Sequence, residues 1–115
     1  MPINKYKACI DACVECAVAC NRCAATCLTE SDVQHLAKCI QLDLECEAIC
    51  KTASELMSLG SIYSELICDI CSDVCNACAD ECEKHKKMDH CRECAEACRK
   101  CARICLEMIE AVEVI

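Results

Sequence analysis

Apolar and polar positions recur along this chain with a helical period, and the most regular apolar positions are cysteines. They fall in four runs: Cys9, Cys13, Cys16, Cys20, Cys23 and Cys27; then Cys39, Cys46 and Cys50; then Cys68, Cys71, Cys75, Cys78 and Cys82; and last Cys91, Cys94, Cys98, Cys101 and Cys105. In the first, third and fourth runs the steps alternate between four and three residues. Such steps keep every sulfur on one face of an α-helix, whose turn holds 3.6 residues. Beside this stripe lies an aliphatic one: Ile10, Val14, Ala17, Ala24 and Leu28 in the first segment, and Ile67, Ile70, Val74 and Ala77 in the third. The pattern predicts aliphatic seams between helices and thiols pointing to the common axis, where a bundle ordinarily keeps leucine.

Helix punctuation divides the chain into four segments, at about residues 4–29, 32–59, 62–83 and 90–111. Ser31 with Gln34 three residues on reads as a capping box for the second helix, and Gly60 ends it. Ser61 and Asp89 are the expected caps of the third and fourth. Short links make consecutive helices antiparallel neighbours. The predicted fold is therefore all-α, an antiparallel up-down-up-down four-helix bundle with a Cys-lined core, one domain over residues 1–115.

Composition narrows the function classes. A net charge of -8 opposes binding to nucleic acid or to an anionic membrane surface. One Gly, two Tyr and no Phe or Trp leave little for a strand-rich fold. No run of apolar residues is long enough to span a bilayer, and the first residues lack the apolar stretch of an export signal. A cytoplasmic location is expected, and in a reducing cytosol clustered thiols serve metals or catalysis more often than disulfides.

Cβ atoms four residues apart on a helix are roughly 5–6 Å apart, too far for an unstrained disulfide. A metal bridges them better: two sulfurs on opposite sides of one ion stand about 4.5 Å apart. Eight disjoint C-x3-C pairs can be drawn, using 16 of the 19 thiols. Charge then selects the ion. Four Zn(II) ions, each held by four thiolates, would leave a charge of about -8 in a dry core, at several kcal/mol per uncompensated charge. Cu(I) at one per thiolate leaves none, and soft thiolates favour it at low coordination number. The expected capacity lies between roughly 8 ions, one per pair, and roughly 19, one per thiolate.

The thiol-faced helices, the segment Cys39-Ile-Gln-Leu-Asp-Leu-Glu-Cys46-Glu-Ala-Ile-Cys50 and the stretch from His85 to Cys94 resemble the cytosolic branch of the bacterial copper storage protein family. The likeness spans nearly the whole chain. It implies storage of many Cu(I) ions inside each bundle and a homotetramer of bundles. Nothing in the residues names the donor that delivers copper or the acceptor that withdraws it.

Five positions break or extend the stripe. Asp43 sits on the second helix where a thiol is expected; either it accepts hydrogen bonds from thiols and adjoins or ligates copper, or it forms a salt bridge between helices or faces water on a rotated second helix. His35, His85, Met88 and His90 fall where the antiparallel topology makes one mouth. They are the expected port for copper, passing ions to Cys27, Cys82 and Cys91. The opposite end is expected to be an apolar plug of Tyr6, Leu56, Met57, Leu59, Ile62, Leu66, Met108, Ile109 and Val112. Met57 and Met108 have thioethers able to bind Cu(I), although methionine at helical spacing is more often core filler.

Three other functions compete. Six C-x2-C pairs raise a thiol oxidoreductase, but such a motif opens a helix after a strand, and here the pairs lie inside long helices. The loop-borne C-x2-C-x2-C ligands of iron–sulfur carriers do not occur. A metallothionein-like zinc buffer is the serious alternative to copper. No catalysis is expected.

Overall fold

The computed structural model describes residues 2–113, with side chains over residues 5–111. Four helices carry the chain: α1 (Pro2–Cys27), α2 (Ala37–Ser58), α3 (Ser64–Glu83) and α4 (Asp89–Glu113). Helix α1 packs on α2 and α4, and α3 packs on the same two. Each helix thus has two flanking neighbours, which is the four-helix bundle the thiol period predicts. The Val112 side chain, assigned to the plug, lies outside the described residues.

Helix α2 starts later than its expected capping box. A short 3-10 turn at Val33–Leu36 precedes it, its N-cap is Leu36, and no side chain caps it. The early backbone N–H groups find carbonyls instead: His35 donates to Asp32 at 3.1 Å, and Ala37 donates to Gln34. Leu36 is wholly buried, so its apolar side chain sets the turn and Ser31 stays exposed. The end of α2 is as expected. Gly60 takes a φ of 66°, its N–H bonds to the Met57 carbonyl at 3.1 Å, and Ser61 N–H reaches the Leu56 carbonyl at 3.0 Å. These are the two bonds of a Schellman motif. Ser61 is not the N-cap of α3; that place falls to Tyr63, whose N–H bonds to Ser61 Oγ at 3.0 Å. Asp89 is the first residue of α4 and pairs with Arg92 at 3.0 Å.

The seams differ from the expected aliphatic stripe. Ile10, Ala17, Ile67 and Val74 pack partly buried against the core, and Ala24 is buried. Val14, Leu28, Ile70 and Ala77 face solvent, with Val14 49% and Leu28 62% exposed. The small residues buried beside the thiols are Ala12, Ala24, Ser72, Ala79, Ala95 and Ala102. A core of small thiols lets the helices approach closely, and only small residues fit beside it. Larger aliphatics one position further round are pushed outward. Ser72 marks such an approach, its hydroxyl donating across the α3/α4 seam to the Ala102 carbonyl at 3.3 Å.

The plug is likewise smaller than expected. Tyr6, Met57 and Met108 are buried, and Leu56 and Ile109 are half-buried. Leu59, Ile62 and Leu66 are exposed, Ile62 to 85%. They belong to the turn after α2 and the outer face of α3, beyond the end of the packed column.

Candidate metal centre

The 3.5-residue period turns one face of each helix inward, and all nineteen cysteines lie on those faces, none more than 1% exposed. All are free thiols. Neighbouring sulfurs stand 3.3 to 4.0 Å apart, from Cys9–Cys105 at the short end to Cys13–Cys71 at the long end. A covalent S–S bond is about 2.05 Å, so these are packing contacts. Three sulfurs bound to one ion at ~2.3 Å would be ~4.0 Å apart, close to the spacing already present.

The sulfurs form overlapping groups. Cys13, Cys71, Cys101 and Cys105 make one; Cys16, Cys46, Cys50 and Cys75 a second; Cys16, Cys20, Cys46 and Cys98 a third. Cys20, Cys78, Cys94 and Cys98 follow, then Cys23, Cys27, Cys39 and Cys91, with ligand atoms in each group within 4.8 Å of one another. The second and third share Cys16 and Cys46, and the third and fourth share Cys20 and Cys98. Shared sulfurs make a continuous column rather than separate tetrahedra.

Burial raises the cost of each thiolate. It pushes the Cys27 thiol up to about 11, and it lifts Cys91 as well. Such thiols hold their protons at neutral pH. A soft cation must displace them.

Asp43 interrupts the column from α2 and is entirely buried. Its Oδ1 accepts S–H bonds from Cys78 at 3.3 Å, Cys94 at 3.4 Å and Cys82 at 3.6 Å. Its Oδ2 is buried without a partner. Burial raises this carboxyl to about 8. Near neutrality the protonated acid is the favoured form, and the free Oδ2 is where its proton can sit.

The four mouth residues divide. His35 and His85 meet edge to face with ring centroids 5.2 Å apart, and Met88 shares their groove. His90 instead lines a cavity of about 70 Å³ between α1 and α4, together with Cys23 and Cys94. Its Nε2 is buried without a hydrogen-bond partner. Glu81, which the sequence reading passed over, is buried beside the pair and bonds His85 Nε2 at 3.0 Å. Lys84 and Lys38 stand 3.3 and 3.9 Å from its other oxygen. Burial would lift Glu81, but the hydrogen bonds from His85 and Lys84 outweigh it and hold the carboxyl low. The i,i+4 spacing of Glu81 and His85 was the available signal.

A family model described as Csp, copper storage protein, matches residues 3–110. The chain belongs to this family. A cysteine-rich protein of Bacillus subtilis (strain 168), described as uncharacterized, is 48% identical over 86 residues, 75% of this chain and 79% of that one. The Cu(I)-bound copper storage protein BsCsp3 superposes with a TM-score of 0.88 at 47% identity, covering 91% of this chain and 98% of its own. A cytosolic copper storage protein from Streptomyces lividans, described with five coppers, has a TM-score of 0.89 at 38% identity and 95% coverage of both chains. The family's bundle and this chain's bundle are the same fold.

Proposed function

We propose that this chain stores Cu(I), holding multiple ions on thiolates inside the bundle. One observation carries the reading: all nineteen thiols are buried and free, and sixteen of them stand in close four-sulfur groups, several of which share sulfurs. Bridged Cu(I) suits shared thiolates and neutralises one charge each, whereas isolated Zn(S)4 units need sulfurs of their own and accumulate negative charge. The copper-bound relatives support the same reading. Catalysis has no support, because thiols at most 1% exposed offer no surface to a disulfide substrate.

Copper enters at the end bearing His35, His85, Met88 and His90, where imidazoles and a thioether precede Cys27, Cys82 and Cys91. The thiols, with Asp43 beside them, then hold it. The protein works in the cytosol, as the Streptomyces relative is described, and no helix among the described residues is long and apolar enough to cross a membrane. It assembles as a homotetramer, which gives the exposed apolar side chains of α1 and α2, Val14, Val18 and Leu44, a surface to cover.

Anaerobic Cu(I) titration of the reduced protein, with metal analysis of the gel-filtration peak, tests these points together. The expected result is between about 8 and about 19 coppers per chain, with growing ultraviolet thiolate-to-copper absorption and a tetramer elution volume. Saturation by a few Zn(II) ions in preference to copper would establish the zinc buffer instead. Replacing all three histidines is expected to slow loading with little loss of capacity; unchanged loading kinetics would remove the port.

A further inference from the structure

The end of the column away from the histidines contains a sulfur of a different kind. Its last layer takes one sulfur from each helix: Cys9 from α1, Met57 from α2, Cys68 from α3 and Cys105 from α4. Cys9 Sγ lies 3.3 Å from Cys105 Sγ and 3.9 Å from Cys68 Sγ. Cys68 donates its S–H to Met57 Sδ at 3.5 Å. Met57 is wholly buried. Leucine would fill a similar volume. What methionine adds is an acceptor turned towards a thiol of the column.

Helix α2 places Cys46, Cys50, Ala53 and Met57 on its inner face, all buried. Ala53 brings no sulfur, so beyond Cys50 the α2 side of the column has only the thioether. We propose that Met57 is a copper ligand, completing with Cys9, Cys68 and Cys105 a mixed thioether and thiolate Cu(I) site that closes the column. The ion takes the place of the Cys68 proton between the same two sulfurs: the Cys68 S–H bond breaks, a copper–thiolate bond forms, and the proton leaves to solvent; Cys9 and Cys105 each lose a proton likewise to a copper of the adjoining layer and share their thiolates with this ion. No electron is transferred. A thioether is a soft donor without charge, so Met57 raises the coordination number of the last copper without adding negative charge in this dry end. This inference rests on the storage reading and assigns it one further ligand.

Selenomethionine-labelled protein, loaded anaerobically with Cu(I), tests it at the selenium X-ray absorption edge. Met108, buried one turn beyond Cys105, supplies the control. All variants are built on Met88→Leu, which removes the thioether of the port: a copper–selenium shell is expected in labelled Met88→Leu and in its Met108→Leu derivative, and is lost in its Met57→Leu derivative. Against a competing Cu(I) chelator, Met57→Leu is expected to retain one copper fewer per chain. Full copper content without a copper–selenium shell, or a shell that survives in Met57→Leu, overturns the inference and leaves storage standing. A chain that takes up no copper sinks both. If Met57→Leu does not fold, the selenium edge of the Met88→Leu/Met108→Leu chain decides alone, since only Met57 and Met1 then carry selenium.

Discussion

A carboxyl surrounded by thiols has no counter-ion, and for Asp43 that sets a pH dependence. Its value is about 8 in the folded chain against an ordinary 3.8. Between those values the folded protein binds a proton that the unfolded chain has released. The contribution to stability is therefore fully present below pH 4 and is lost as pH rises to 8, at up to about 1.4 kcal/mol per unit. Asp43→Asn keeps the shape and an acceptor oxygen but cannot ionise. Urea denaturation of the reduced, metal-free proteins from pH 5 to 8 is expected to show wild type losing stability relative to Asp43→Asn throughout. The two proteins differ only in this side chain, so the difference between the curves isolates Asp43. Parallel curves would mean that the carboxyl ionises without cost. That Asp43 faces the thiols was legible from its place in the stripe; its shared Oδ1 and unpartnered Oδ2 were not, because they depend on how α3 and α4 present Cys78, Cys82 and Cys94.

At the scale of the helices, what the chain announces is a face, and what it leaves open is that face's width. A repeat of alternating fours and threes fixes the inward direction of α1, α3 and α4. It does not say how far round the helix burial extends, which is why Val14 and Ile70 carry the right period and still meet water. Small thiols and alanines draw the helices together, so only a narrow arc is covered. The start of α2 was hidden for a related reason: burial of Leu36, a tertiary demand, outweighs the local capping preference of Ser31. Gly60 was readable because it answers a local one. With φ at 66° and nothing within 4 Å of an added Cβ, Gly60→Ala pays in backbone strain alone. A loss of about 1 kcal/mol in urea denaturation is expected, with the α-helical spectrum unchanged. No loss would show that the Schellman turn can relax to another conformation.

For the whole molecule, the question is whether metal builds the bundle or fills one already built. Protonated thiols are small apolar groups, and here they pack at 3.3 to 4.0 Å with alanines closing the seams. Nothing in that packing needs an ion. The reduced, metal-free protein is accordingly expected to keep its helical circular dichroism, unlike zinc-finger domains, in which metal binding supplies the folding energy. The same packing predicts the chemistry of filling. Since burial keeps thiols such as Cys27 and Cys91 protonated, each new thiolate must release its proton as copper arrives. Proton release in a weakly buffered anaerobic titration is then expected to track the number of thiols engaged, and loading is expected to weaken as pH falls. If helicity collapsed on removing copper, or copper bound without releasing protons, the column would be a charged scaffold assembled by metal. Retained helicity with proportional proton release identifies a preformed container, in which each incoming cation replaces a proton and the core gains no net charge.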